Sequence, residues 1–450
     1  MNKQQNVNLT EGNITGQLLR FVWPVIVSTI FQQLYGIVNS LIVGNFVSSQ
    51  ALSAVSASNS ITMLPFFFFG GMSLAAGILV SRCYGAGDHH KLQDVVKSGL
   101  LIAFFGGLLL TGIMELFLVP LMNFSNIRES LFADSLLYLR IYLGGSVAVF
   151  LYEMLFYMMR ALGDSQHPLQ FMIISTVSNT ALGIFFVRVM NLGVGGVALA
   201  TIISQTLAII LGIITLKKFR ELREMSFRNF HVDRELLGNL LALGIPTALQ
   251  NMALSFGNLL VQSKINLFSD AVISGMDLAN KVGFWAQIPM MSLSNVETSF
   301  VGQNLGAGKL ERVREGIRVC LYMGLGITFV LSTAMFIAAP AFVSMFDSTP
   351  EVVKVGTSVV RHTVYSYLPL TFSHVYNGAC RGAGNVKAPT IIAVCAQSIF
   401  KYLFVAVGLY FWFDVMIIYL SSAAAFTMAG LLATLYFKLS PWTRETGLRV

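Results

Sequence analysis

Charged residues are scarce in this chain of 450 residues, at 11% of the composition, whereas an ordinary soluble domain has roughly 25%. Hydrophobic residues make up 55%. So little charge cannot supply a water-facing shell for two or three soluble domains, and so much apolar surface does not suit a disordered chain. The composition excludes both classes and predicts a protein embedded in a lipid bilayer.

Cysteine is also rare. The apolar composition does not suit a secreted disulfide-rich protein. The four cysteines are too widely spaced for a CxxC redox or zinc motif, and we expect them to be packing residues: Cys83, Cys320, Cys380 and Cys395. The glycine-rich triplets at 85–87 and 306–308 match neither GxGxxG nor GxxxxGK[ST], so no ATP or dinucleotide motif is indicated. The histidines have no matching cluster of acids or cysteines. We therefore predict no cofactor and no metal, and energy supplied by an ion gradient.

Long apolar stretches dominate what remains. A helix needs about 20 apolar residues to cross a bilayer, and the sequence contains twelve such stretches. They are 17–43, 52–81, 95–122, 131–159, 166–187, 194–216, 236–263, 271–301, 315–345, 352–380, 388–411 and 415–437. The predicted fold class is an all-α integral membrane protein with twelve transmembrane helices.

The basic residues are distributed unevenly between the two sides of these spans. With the N-terminus placed in the cytoplasm, 21 of the 29 Lys and Arg residues fall on the inner side. The outer side has only Arg128, Arg188, Lys264 and Lys354; the others lie within spans: Arg140, Lys281, Arg361 and Lys401. This bias follows the positive-inside rule and predicts that both termini are cytoplasmic. The positive charge is thus explained by topology, and we expect no nucleic-acid partner.

The two halves of the chain resemble each other. Pro24 recurs as Pro246 at an offset of 222, and the motif at 160–163 recurs at 381–384 at an offset of 221. The other anchors, also offset by 221, are GAG at 85–87 and 306–308, Arg140 and Arg361, and Pro168 and Pro389. This indicates duplication, with a six-helix lobe at 1–216, a cytoplasmic linker at 217–235 and a second six-helix lobe at 236–450. Six spans per lobe make the repeats parallel and pseudo-symmetric, as in many transporters.

Polar residues inside a bilayer are costly and therefore informative. The first span carries Ser28, Gln32, Tyr35 and Asn39 on one helical face. The seventh span, its counterpart, carries Asn251, Ser255, Asn258 and Gln262. The two stripes either line the two sides of one substrate cavity or hold the bundle together by interhelical hydrogen bonds.

Acidic residues within the spans are candidates for binding a coupling cation. The eighth span has Asp277 and Lys281 at i and i+4, the favourable order for an ion pair. The pair is either a structural clamp or a site where a proton or cation competes with Lys281 for the carboxylate. Glu153 is the next candidate for protonation, and Glu115 and Glu297 are interpreted as acids that reach the membrane interface.

Several segments, spread over nearly the whole chain, resemble multidrug and toxic compound extrusion (MATE) transporters. They are YGIVNSLIVGNFVSSQALSAV at 35–55, SRCYGAGD at 81–88, RALGDSQHPL at 160–169, GVGGVALATIISQ at 193–205, FVGQNLGAGK at 300–309 and RGAGNVKAP at 381–389. The resemblance implies two six-helix lobes around a central cleft. It also implies export of organic, often cationic, compounds in exchange for H+ or Na+.

The sequence departs from that family where coupling acids are expected. Many members have Asp where this chain has Asn39, and many have an acid in the fifth helix where this chain has Gly183. The acid that sodium-coupled members have in the seventh helix has no counterpart between Gln250 and Gln262. Coupling must then use another acid, and Asp277 is the first choice.

We therefore expect a secondary active exporter of amphipathic or cationic small molecules in a bacterial plasma membrane, acting as a monomer in contact with lipid. The alternative is a flippase for a lipid-linked precursor. It would need a basic, hydrophilic groove open to the lipid, yet we expect only Lys281 and Lys401 to be buried cations. A membrane-embedded enzyme or receptor would need a catalytic cluster or an ectodomain, and the sequence indicates neither.

Overall fold

The computed structural model describes residues 8–223, 225 and 234–448, which form helices and their connections without any strand. The helices of the N-terminal half are α1 (Ile14–Phe46), α2 (Ser49–Ala86), α3 (His89–Phe124), α4 (Glu129–Gly144), α5 (Ser146–Ala161), α6 (Gln166–Ile184) and α7 (Gly193–Leu216). Those of the C-terminal half are α8 (Arg234–Ile265), α9 (Asp270–Gly306), α10 (Leu310–Ser344), α11 (Pro350–Thr363), α12 (Tyr367–Gly382), α13 (Lys387–Val394), α14 (Lys401–Phe411), α15 (Val415–Leu439) and α16 (Pro441–Glu445).

Each of the twelve predicted spans coincides with one of these helices or with two consecutive helices. Within the described ranges, nine helical segments are long and apolar enough to cross a membrane, and α4 with α5 makes a tenth. The other two predicted spans, α9 and the pair α11–α12, are helical but more polar, because they contain ionisable residues such as Asp277, Lys281 and Arg361. Large apolar side chains such as Leu116 and Ile337 remain exposed, as expected where the neighbour is lipid.

Two of the spans are interrupted once, at corresponding positions. Helices α4 and α5 meet at Gly145 with a bend of 51°, and a 3₁₀ turn at Val364–Ser366 separates α11 from α12. The repeat offset of 221 places Gly145 on Ser366. The stretches 131–159 and 352–380, each interpreted as one span, are therefore interrupted helices, and the first is bent. Glycine favours a break in the first because of its low helix propensity.

A hydroxyl group contacts the backbone next to each of these breaks. The Thr111 hydroxyl of α3 donates to the Leu143 carbonyl at 2.9 Å. The Ser332 hydroxyl of α10 donates to the Val364 carbonyl, also at 2.9 Å. Both donors and both acceptors are related by the offset of 221. Because a broken helix leaves carbonyls without intrahelical partners, hydroxyl donors stabilise such breaks inside a membrane.

The chain forms two compact units. The first contains Trp23–Ala248, and the second contains Leu9–Val22 with Leu249–Val450. The division falls within α1 and within α8, and in each case a proline, Pro24 or Pro246, lies within two residues of it. The lobe boundaries predicted from the sequence remain a prediction, and most of residues 224–233 lie outside the described part of the chain.

Each unit has its own apolar core, and glycines bring its helices into close contact. A Cβ on Gly107 of α3 would lie 2.7 Å from the Cα of Val147 on α5, and a Cβ on Gly378 of α12 would lie 2.6 Å from the Ser294 carbonyl oxygen on α9. Such contacts between backbones are typical of membrane helix bundles, where packing rather than the hydrophobic effect joins helices.

Candidate functional site

The polar stripe of α1 is engaged by α5 and α7 of the first unit. The two members nearest the C-terminus of α1 form hydrogen bonds with α7. The Tyr35 hydroxyl lies 2.9 Å from the Ser204 hydroxyl. The Asn39 amide donates to the Thr201 hydroxyl at 3.3 Å. These contacts are the interhelical hydrogen bonds that one of the two interpretations predicted. Binding of substrate by the same residues remains a prediction.

The cluster around Thr201 contains amides and hydroxyls rather than acids. Asn39 and Asn179 both donate to the Thr201 hydroxyl at 3.3 Å, and neither buried amide oxygen accepts a hydrogen bond among the described residues. Asn179 and Thr201 were not predicted as site residues from the sequence, although each is a polar residue within a span. A Cβ on Gly183 would lie 3.0 Å from the Ile42 side chain, so an acid at this position would meet an apolar neighbour.

An acid and a base of α5 contact the same face of α1 nearer to its N-terminus. The Gln32 amide donates to the Glu153 carboxylate of α5 at 3.3 Å. About one turn before Gln32, Ser28 accepts a hydrogen bond from the Arg160 guanidinium at 2.8 Å and donates to the Val25 carbonyl. Within the described ranges, Glu153 forms no ion pair at 4.0 Å or less. Its carboxylate is therefore held by a neutral amide inside a membrane span, a position from which a cation could be bound and released.

The contact made by Arg160 recurs in the second unit. The Arg381 guanidinium of α12 donates to the Gln250 amide oxygen of α8 at 3.0 Å. The offsets of 221 and 222 relate these two residues to Arg160 and Ser28. Gln250 also accepts a hydrogen bond from the Thr390 hydroxyl at 3.3 Å. The counterpart of Ser28 is thus Gln250, which the predicted α8 stripe did not include.

The predicted α8 stripe is less closely bound to its own unit than the α1 stripe. Asn258 is exposed and accepts a hydrogen bond from Lys401 Nζ at 3.4 Å, while Gln262 donates to Asn266, the first residue after α8. Asn251 and Ser255 are half-buried. Lys401 follows a π-helical segment at Cys395–Phe400, and such bulges often occur at functional sites.

The predicted ion pair on α9 is formed. Lys281 Nζ lies 2.8 Å from Asp277 Oδ2, and the two side chains are 55% and 62% exposed. The contact is compatible with a structural clamp, and the accessibility of the carboxylate is compatible with exchange of Lys281 for another cation.

The two acids interpreted as interfacial behave differently. Glu115 pairs with Arg140 at 3.6 Å with both side chains partly exposed. Glu297 is fully buried, so its interpretation as an interfacial residue was wrong. The reason is that α9 continues for nine residues beyond Glu297, to Gly306, and this extension packs against α10 and α12.

A model of the MatE family matches residues 24–185 and 246–407, one copy in each half. The chain belongs to the MatE family. The two matched ranges are offset by 222 residues and together include the α1 and α8 stripes and both copies of the repeated arginine contact.

The MatE assignment agrees with the relatives found by sequence and by structure. Over 97% of both chains, the protein is 26% identical to the probable multidrug resistance protein YpnP of Bacillus subtilis (strain 168). It is 27% identical to the probable multidrug resistance protein YoeA of the same strain, over 84% of this chain and 83% of that one. A crystal structure of MATE in the bent conformation superposes with a TM-score of 0.91 at 17% identity, covering 99% of this chain and 100% of that chain. An outward-facing multidrug resistance MATE transporter gives 0.89 at 17% identity, covering 99% and 98%.

MatE members are transporters, so this chain is a multi-pass membrane transporter and not an enzyme. The predicted fold class, twelve transmembrane helices in two six-helix lobes, is confirmed by these comparisons.

Proposed function

We propose that the protein exports amphipathic or cationic small organic compounds by exchange with H+ or Na+, with access alternating between the two sides of the membrane. Relatives named as multidrug resistance proteins support the substrate class. The observation that carries the proposal is the pairing of Glu153, a carboxylate in a membrane span, with Gln32 of the polar α1 stripe at 3.3 Å. A cation bound at Glu153 would change the hydrogen bonding of the helix that we expect to contact substrate.

The proposed substrate contacts are amide, hydroxyl and phenol groups of the two stripes. They are Gln32, Tyr35 and Asn39 on α1 and Asn251, Ser255, Asn258 and Gln262 on α8. These groups are neutral and can both donate and accept hydrogen bonds. Tyr35 also presents an aromatic face that can attract a cation. Such a surface suits organic cations of varied shape better than one fixed ligand.

The proposed coupling residues are Asp277 with Lys281 in the second unit and Glu153 in the first. At Asp277, an arriving proton or Na+ would compete with Lys281 for the carboxylate, since the two side chains touch at 2.8 Å and remain accessible. Release of Lys281 would change the charge on this face of α9. We place the protein in the plasma membrane with both termini in the cytoplasm, and we propose that it works as a monomer.

Uptake of a fluorescent lipophilic cation into proteoliposomes tests this function. A pH gradient and a Na+ gradient are imposed separately and then collapsed with an ionophore. We expect concentrative uptake with one of the gradients and none after its collapse. Uptake that is indifferent to both gradients, or movement of a lipid-linked amphiphile instead of the cation, would contradict the antiport proposal.

Two substitutions test the coupling residues in the same assay. Asp277→Asn and Glu153→Gln should each reduce gradient-driven uptake, because the amides cannot bind a cation by charge. Asp270→Asn, which changes an exposed acid in the first turn of the same helix as Asp277, is the matched control. Full coupling in either test variant would remove the role of that residue.

A further inference from the structure

Glu297 is a buried acid that the proposed coupling scheme does not use. It lies on α9 with 0% of its surface exposed. Among the residues that the structure describes, its carboxylate oxygens have no N–H or hydroxyl donor, and the polar group beside them is the weakly donating Cys320 thiol. An ionised carboxylate in such a place would lose its hydration without compensation, which is expensive in a protein interior. The geometry therefore suits a carboxyl group that carries a proton.

Helix α12 covers this acid closely. A Cβ on Gly378 would lie 3.1 Å from the Glu297 Cβ and 2.6 Å from the Ser294 carbonyl oxygen. Because only glycine permits this approach, α12 lies directly over the helix that carries the acid. Access of water to the carboxylate from this side therefore requires α12 to move away from α9.

The corresponding place in the first unit is apolar. The offset of 221 relates Glu297, Cys320 and Ala379 to Ala76, Gly99 and Met158. In the first unit the Met158 methyl group packs against Gly99, in a position that a Cβ on Gly99 would occupy. A thioether thus fills the space in one unit while an acid lies at this place in the other, so packing alone does not require a carboxyl group.

The charged and titratable groups around Glu297 are few. On α10 the Cys320 thiol faces it, and Arg312, two turns before that cysteine, bonds backbone carbonyls of residues 9, 11 and 12. On α12 the Arg381 guanidinium is bonded to Gln250, and His374 interacts with Arg381. On α9 itself, Asp277 is twenty residues away and paired with Lys281.

We propose that Glu297 is a proton-binding site of the second unit. Its carboxyl group holds the proton while α12 covers it, and the O–H bond breaks with transfer of the proton to water when the carboxylate becomes accessible. The inference deepens the antiport proposal, on which it rests for its role in transport. It assigns the exchanged ion as H+ and places one site in the unit that lacks Glu153.

Infrared difference spectra between acidic and alkaline pH, recorded on the full chain in lipid nanodiscs, test the proton site directly. We expect a C=O stretch of a protonated carboxyl group that shifts in D2O and that Glu297→Met loses. Methionine is chosen because the first unit fills this space with a thioether. Glu351→Gln, which changes an exposed acid of α11, should retain the band. Identical spectra for the wild type and Glu297→Met would overturn the proposal, as would removal of the band by Na+.

Transport measurements test its role. Glu297→Met and Glu297→Gln should lose accumulation driven by a pH gradient but keep exchange of labelled for unlabelled substrate at equal pH. Glu297→Gln keeps the shape of the protonated side chain and serves for both readouts if Glu297→Met does not fold. Normal pH-driven accumulation in a variant without the acid would overturn the role of Glu297. Absence of gradient-driven uptake in the wild type would contradict the antiport proposal, while the infrared band would still decide the proton site.

Discussion

The two units have the same helical architecture and differ in the charged residues within their spans. Hydrogen bonds that stabilise the helices are repeated at the offset of 221 or 222: Arg160 to Ser28 and Arg381 to Gln250, and Thr111 to Leu143 and Ser332 to Val364. The arginines of the spans are repeated, as Arg140 with Arg361 and Arg160 with Arg381, but the acids and lysines named below are not. Glu153 corresponds to His374, and Glu297 corresponds to Ala76, while Asp277, Lys281 and Lys401 correspond to Ser56, Ser60 and Thr180.

This difference separates two kinds of buried polar residue. A group that recurs in both units and bonds a backbone atom or a neighbouring helix serves the architecture that both units need. A charged group that occurs in one unit alone is not required by that architecture, and it costs free energy in a membrane. It is therefore a candidate for the transport cycle, and each prediction below tests this separation.

The largest loss of stability is expected when the repeated arginine contact is removed. Arg160→Ala and Arg381→Ala each remove a hydrogen bond from a charged donor, which should destabilise the protein by about 1.5–3 kcal/mol. The two effects should be similar, because each acceptor residue keeps another hydrogen bond, Ser28 to Val25 and Gln250 from Thr390. Thermal unfolding in detergent measures both variants. A loss in only one of them would show that the contact is structural in one unit alone.

A smaller effect, and a difference between the units, is expected at the glycines of α3 and α10. Gly107→Ala brings a Cβ to 2.7 Å from the Val147 Cα, and such overpacking against backbone should cost about 1–3 kcal/mol. Gly324→Ala meets side-chain methyl groups of Thr371 and Leu293 instead, and the first unit already has Ala103 at the equivalent position. It should cost less.

The control for both glycine variants is Gly112→Ala, because a Cβ at this α3 position has no neighbour within 4 Å. It should be neutral or stabilising through its higher helix propensity. The comparison is made by the midpoint of thermal unfolding. Equal losses for Gly107→Ala and Gly324→Ala would contradict the distinction between backbone and side-chain neighbours.

The span positions, the duplication and the Asp277–Lys281 pair could be predicted from the sequence because each depends on local information. Hydrophobic length gives the spans, a constant offset gives the repeat, and four-residue spacing on a helix brings the two charges together. The partners of the α1 stripe could not be predicted in the same way. Tyr35 and Asn39 bond residues more than 160 positions away, and only the packing of α1 on α7 decides which residues meet.

The burial of Glu297 could not be predicted from the sequence either. Its position near the end of a predicted span suggested the interface, whereas its burial depends on how far α9 extends and on the approach of α12 at Gly378. The breaks at Gly145 and at Val364–Ser366 were also missed, since both lie within apolar stretches that continue on either side. In a membrane span, hydropathy alone does not distinguish a straight helix from a bent one.

A smaller loss of stability is expected when the hydroxyl groups beside the two breaks are removed. Thr111→Val and Ser332→Ala each remove a donor to a backbone carbonyl, at a cost of about 0.5–1.5 kcal/mol. Thr427→Val is the control, because its exposed hydroxyl bonds only the preceding turn of its own helix. The unfolding midpoints of all three variants are compared. If Thr427→Val lost as much stability as the other two, the hydroxyls beside the breaks would have no special role.

The smallest effect on global stability is expected at a contact that the units do not share. Arg312 of α10 bonds the Leu9 and Gly12 carbonyls at 3.2 and 2.7 Å and the Gln17 side chain at 2.7 Å, whereas its counterpart Lys91 is exposed. Arg312→Ala should therefore increase hydrogen exchange in residues 9–17 while the unfolding midpoint changes little, since the opening is local. Lys91→Ala should alter neither. Unchanged exchange in Arg312→Ala would mean that packing of the buried Leu9, and not the guanidinium, holds this segment on the second unit.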